Sequence, residues 1–174
     1  MNKINKKILL VLYYCLARFL PSGRFGKLVR YHICKRIFKK CGKNVNVERL
    51  ATFGNGFNVM IGDNSGIGIN SCIPNDTIIG NDVMMGPNTY ILVHNHAFDR
   101  TDITMREQGI YERKQTIIED DVWIGRDVLM TPGRTIKKGS IIGAGCVLTK
   151  DFPEYSIVGG NPSKLIRNRK NEKQ

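Results

Sequence analysis

The chain has 174 residues, with 27 lysines and arginines against 15 acids and a formal charge of +12. That length accommodates one core and excludes two independent folds, while the charge points to an anionic partner without choosing among nucleic acid, a phospholipid surface and a phosphate-bearing small molecule. The five cysteines, Cys15, Cys34, Cys41, Cys72 and Cys146, are odd in number, scattered and free of any C-x-x-C pair; this argues against a disulfide framework or a zinc site and for a reducing compartment.

Residues 1–43 read as an amphipathic helical segment. MNKINKK followed by ILLVLYYCLA has the basic and apolar regions of a secretory signal, but RFLPSG offers no clean small-x-small cleavage site. The apolar run is also too short to span a bilayer. In RFGKLVRYHICKRIFKKCG, Phe25, Leu28, Val29, Ile33 and Ile37 fall at helical spacing among Lys27, Arg30, Lys35, Arg36, Lys39 and Lys40. The spacing predicts two helices within 3–40 that either cap the fold or lie on an acidic membrane face.

From Ile61 onward the period is six. Ile61, Ile67, Ile73, Ile79, Met85 and Ile91 form one block, and Ile118, Ile124, Met130, Ile136, Ile142 and Leu148 a second. Two residues before them stand Ser65, Ser71, Thr77, Val83, Thr89, Val122, Val128, Ser140 and Cys146, mostly small or β-branched. Residues two apart on a strand share a face, so each hexad is a very short strand with one small and one larger side chain pointing inward. Glycine directly after the aliphatic residue, as at Gly62, Gly68, Gly80, Gly125 and Gly143, is expected to supply the sharp corner. Three hexads make a triangular turn, and stacked turns pair their backbones. The fold class is therefore mainly β, a parallel β-helix over 44–160, with 44–60 as less regular early coils and a short basic helix and frayed tail over 161–174.

The two blocks are out of phase, so residues 97–116 are expected to leave the coil as an extruded loop, and a loop this long in so economical a fold points to function. His94 and His96 stand at its foot. With Asn95 taken as inward, both histidines point outward, and so does Trp123, which lies between inward Val122 and Ile124. An outward tryptophan serves either an oligomer contact or ligand stacking. Three roles are open to the histidines. Metal binding lacks a third ligand, since the only other histidine is the distant His32. A polar loop residue is the plain reading. A general base near neutrality is the third, with Asp99 as a candidate to orient the ring.

The hexad rows, the loop after HNHAFD, and then VWIG, PG, IGAG, VLTKD and GNP in order resemble the left-handed β-helix acetyltransferases that use acetyl-CoA. The likeness covers residues 44–168. It is greatest to the O-acetyltransferases of capsular and exopolysaccharide synthesis and extends to the maltose and galactoside enzymes and to xenobiotic acetyltransferases that share N-H-x-x-D. The resemblance implies a left-handed coil, a homotrimer with active sites between subunits, acetyl-CoA as donor, a saccharide acceptor, and neither a metal nor a nucleic acid. It implies His96 as catalytic base, with His94, Asp99 and Trp123 at the cleft and Arg126, Ala144, Thr149, Lys150, Lys164 and Arg167 on the donor. The small side chain of Ala144 suits clearance for pantetheine, and the cations suit the CoA phosphates. An intracellular donor implies a cytoplasmic protein, at the inner membrane face if residues 3–40 touch lipid. A non-enzymatic β-helix scaffold is the rival reading, for which regular outward rows of Thr or Asn are expected.

Overall fold

The computed structural model describes residues 3–171. Two helices, α1 (Lys3–Cys15) and α2 (Arg24–Ile37), precede a stack of two-residue strands arranged in three walls. The first wall stacks Lys40–Cys41, Met60–Ile61, Ile78–Ile79, Ile117–Ile118 and Thr135–Ile136, all parallel. The second runs from Asn46–Val47 and Gly66–Ile67 through Met84–Met85, Trp123–Ile124 and Ile141–Ile142 to Ser156–Gly159. The third holds Thr52 and Cys72 as bridges, then Tyr90–Ile91, Leu129–Met130 and Val147–Leu148. A chain that visits the three walls in turn and returns one level higher is a parallel β-solenoid.

The inward rows account for its stability. All nine small-row residues are buried, as are eleven of the twelve large-row aliphatics, Met85 being partly exposed. Inward hydroxyls are satisfied by the coil above: Ser65 Oγ donates to the Gly80 carbonyl at 2.7 Å and accepts from Val83 N–H at 3.0 Å, so these polar groups enter the prism without an orphaned partner.

The corners differ from the expectation. The glycine after each aliphatic residue does not have a positive φ; the left-handed residue comes three positions after the aliphatic, at Asn64, Asn70, Asp82, Asn88, Asp121 and Asp127, then at Gly133, Gly139 and Gly145. Asn and Asp tolerate that conformation, and their side chains make ladders between coils, Asn70 to Asn88 at 3.0 Å and Asn88 to Asp127 at 2.7 Å. The first glycine answers a different need. A Cβ on Gly86 would lie 2.6 Å from the Gly125 carbonyl carbon of the next coil, so it permits coils to approach, not to turn.

The helices cap the first coil. Tyr13, Ile33, Cys34, Ile37 and Phe38 are buried with Val45, Val47, Ala51 and Phe53, and the rings of Tyr13 and Phe38 lie 4.6 and 4.8 Å from that of Phe53. Arg30 is fully buried, with Nε on the Val47 carbonyl at 2.6 Å and a guanidinium N–H on that of Leu20 at 2.7 Å. Among the described residues no helix is long and apolar enough to cross a membrane.

At the other end the expected basic helix is replaced by a strand. Lys164–Asn168 runs antiparallel to Ser156–Gly159, and only Arg169–Asn171 makes a single 3-10 turn. The last coil leaves the backbone groups of Ser156–Gly159 unpaired, and the returning segment satisfies them in extended form, which a helix could not do. The expected frayed tail at 172–174 lies outside the described residues.

Candidate active site

Ile79 pairs with Ile118, 39 residues on where neighbouring coils are 18 apart, so 21 residues are extruded between the third and fourth coils. The loop leaves earlier than the hexad phase predicts. The last ladder bond is Leu92 N–H to the Met130 carbonyl at 3.0 Å, and Asn95 is exposed instead of inward. The cause is a hairpin of the loop's own: Tyr111 N–H donates to the Asn95 carbonyl at 3.0 Å and Ala97 N–H to that of Gly109 at 3.1 Å, with His96 opposite Ile110. Re-entry is also one residue early, since Thr116 is already buried in the small row. Both histidines remain exposed, as expected. The loop's return leg is fastened to the third coil by Arg113, which binds Asn75 at 2.8 Å and Asp76 at 2.5 Å, and by Gln115 on the Asp76 carbonyl at 2.6 Å.

Where the loop folds back on the corner between the third and first walls it encloses a groove of about 270 Å³, lined by His94, Tyr111, Glu112, Lys114, Arg134 and Thr149 among others. His96 stands beside it on the hairpin. Neither imidazole has a side-chain hydrogen bond with another described residue. Asp99 is engaged elsewhere: its carboxylate accepts the Tyr111 hydroxyl, and after lost hydration this pairing is the next cause of that tyrosine's raised pKa. The Phe98 and Tyr111 rings meet edge-on at 5.5 Å. Asp99 thus holds the hairpin closed and does not bond an imidazole within the chain.

Sequence reasoning missed Tyr111 and Arg134. Arg134 carried a signal, because it occupies the small-row position two before Ile136 and is the only charged residue there. Its guanidinium turns out of the prism, onto the Thr149 carbonyl at 3.3 Å and Asp151 at 3.5 Å, and so floors the groove.

The remaining site residues lie on other surfaces. Trp123 is 50% exposed on the second wall, between Met84 and Ile141 of adjacent coils. Arg126, 3.5 Å from Asp127, and Ala144, exposed between Gly143 and Gly145, occupy the corner between the second and third walls. Lys164 and Arg167 are on the returning strand beside the second wall. Thr149, by contrast, lines the histidine groove and shares a 3.1 Å hydroxyl contact with Ser163, while Lys150 Nζ sits 5.5 Å from the centre of the Phe152 ring. One chain therefore offers two half-sites, the loop with its histidines at one corner and the tryptophan wall with the small-residue corner elsewhere. Among the described residues, no three His, Cys, Asp or Glu side chains group as metal ligands.

Residues 115–150 match the family model described as bacterial transferase hexapeptide (six repeats). The galactoside O-acetyltransferase of Escherichia coli (strain K12) is 34% identical over 140 residues, which is 79% of this chain and 68% of that protein. The chain belongs to the hexapeptide-repeat acetyltransferases. A solved galactoside acetyltransferase in complex with coenzyme A superposes with a TM-score of 0.76 at 30% identity, covering 95% of this chain and 80% of that one. Other relatives match over less of their length: the chain spans 41% of a Schizosaccharomyces pombe protein, 42% identical over 87 residues, and 29% of a chloramphenicol acetyltransferase of Agrobacterium fabrum, 50% identical over 61. The second of these covers 35% of this chain. Within the hexapeptide-repeat acetyltransferases this chain keeps the solenoid, the two N-terminal helices and one extruded loop as its main elaborations.

Proposed function

We propose that this chain is an acetyl-CoA-dependent O-acetyltransferase that acts on a sugar hydroxyl, in surface polysaccharide synthesis, as a cytoplasmic homotrimer. The observation that carries the reading is the 21-residue extrusion, which brings two histidines to a polar groove in a coil otherwise held to 18-residue turns. A trimer would set the loop of one subunit against the tryptophan wall of the next, joining the two half-sites. The donor fits that wall: Ala144 and its flanking glycines leave a flank without side-chain bulk, and Lys150, Lys164 and Arg167 supply cations for phosphates.

His96 takes the proton of the acceptor hydroxyl as its oxygen bonds to the thioester carbonyl carbon. The C–S bond then breaks, and the imidazolium returns the proton to the leaving thiolate, so the products are an acetyl ester and the free CoA thiol. A backbone N–H at the cleft steadies the developing oxyanion. A cysteine nucleophile is not needed, and the cysteines suit none: Cys146 is buried, and burial pushes its thiol pKa up.

Thiol release from acetyl-CoA, measured against a panel of sugars, sugar nucleotides and chloramphenicol, tests the reading. A sugar acceptor supports it. Chloramphenicol as sole acceptor would favour the second reading, an antibiotic hydroxyl, which the 50% identity to the Agrobacterium enzyme recommends. His96→Ala should lower turnover at least about 100-fold with acetyl-CoA binding retained, and His94→Ala much less. Unchanged turnover in the His96 variant removes it as the base.

A further inference from the structure

The charge of this protein is distributed unevenly. The first 47 residues hold 12 lysines and arginines and no acid, while residues 48–174 hold 15 of each sign, so the whole excess of +12 belongs to the helical cap. The cap has two faces. Its inner face is spent on the first coil through Tyr13, Ile33, Cys34 and Ile37. On the outer face Ile8, Val11, Leu12 and Leu16, spaced as one side of a helix, are all exposed, followed by Phe19 and, at the start of α2, Phe25. Capping a coil requires one apolar face, and this segment has two.

We infer that the outer face of the cap seats on an anionic phospholipid surface, with α1 lying in the plane of the interface. Aliphatic and phenylalanine side chains enter the acyl boundary while lysines and arginines meet the lipid phosphates, the division of labour of an interfacial helix. Cations and apolar groups are already arranged together: the Arg18 guanidinium lies 5.1 Å from the Phe19 ring centre and 5.6 Å from that of Tyr14. A second copy is a poor occupant, because face-to-face docking would bring two acid-free, strongly cationic segments together. A nucleic acid is also a poor fit, since the centre of the face is aliphatic, with cations around it. This inference is independent of the acetyl-transfer reading. Its consequence would be to hold the enzyme beside acceptors carried on lipid.

The test is co-sedimentation of the full chain with vesicles of phosphatidylcholine, with and without about one third phosphatidylglycerol. The native chain should partition onto the anionic vesicles, weakly onto neutral ones, and lose most of its binding in high salt. Replacing Ile8, Val11 and Leu16 together by Gln should lower partition at least about tenfold, with helix content by circular dichroism, sedimentation mass and thiol release unchanged. The inference is overturned if the native chain stays in solution, if neutral vesicles bind it equally, or if the triple variant binds like the native chain. It is equally overturned if the variant changes the oligomeric mass, which makes the face a contact between copies, or if duplex DNA competes fully with vesicles for the native chain.

Discussion

Replacing Arg30 by Met removes the guanidinium that joins the helical cap to the first coil while keeping much of its volume. In the native protein this side chain reaches four carbonyls: Val47 at 2.6 Å, Leu20 at 2.7 Å, and Ala17 and Pro21 at 3.4 Å each. The two short bonds dominate. Each carbonyl left buried without a donor costs about 1–3 kcal/mol, so their loss alone amounts to roughly 2–6 kcal/mol. Burial of the cation opposes this: desolvation draws the Arg30 pKa down, with Glu48 pulling the other way, and a neutral methionine avoids that cost. Glu48 is not stranded, because Lys27 remains 2.9 Å away. The expected net loss is about 2–4 kcal/mol, or a Tm lower by roughly 5–15 °C for a chain of this size. Urea unfolding followed by far-ultraviolet circular dichroism measures it, with Arg30→Lys, which keeps the charge and loses the fork, expected to fall between. A loss below about 0.5 kcal/mol in the Met variant would refute the argument and leave apolar packing as what fastens the cap.

Two further outcomes are expected. Glu48 is held below its ordinary carboxyl pKa: partial burial alone would raise it, but hydrogen bonds from Asn46 and Lys27 and the Lys27 charge outweigh that. A depressed folded value gives stability that is present above the ordinary value of 4.5 and lost as pH falls through the folded one. The stability gap between native protein and Glu48→Gln should therefore be full above pH 5.5 and close toward pH 3; a gap independent of pH in denaturant titrations would contradict the pairing. Gly86→Ala should cost about 2–3 kcal/mol in the same unfolding assay, because the added methyl would sit 2.6 Å from the backbone of the next coil. Gly143→Ala, the equivalent position where the nearest atom is 3.3 Å away, should lose less than half as much, and equal losses would show that close coil approach is not why these glycines are present.

The periodic part of this fold was legible because its side chains alternate in chemistry: a small residue, then an aliphatic one, at fixed offset. What lies inside the prism could be read directly. The corners were misassigned because two features recur with the same period. The eye is drawn to Gly62, Gly68 and Gly86, while the left-handed turn is made by Asn64, Asn70 and Asn88, residues whose adaptability leaves a weaker mark on the sequence. The loop's departure was misplaced for a related reason. Extending the hexad phase put Asn95 inside, yet a hairpin contact with Tyr111 captures it first, and pairing across 16 residues has no periodic signature. At the C-terminus, SKLIRNRK reads as a basic helix in isolation, and only the unpaired row on Ser156–Gly159 makes it a strand. The site was legible as a list of residues and not as an arrangement, because one copy carries its parts on different walls.

A stack of parallel strands has no natural stopping point, since each finished coil is a template for another, including one from a neighbouring molecule. The returning strand Lys164–Asn168 ends that growth by reversing direction, and it faces outward with Lys164 and Arg167, whose charge discourages a further strand from joining. The same two cations are assigned to the donor phosphates, so a change made there to tune catalysis would also loosen the plug that keeps the prism from lengthening into a fibre.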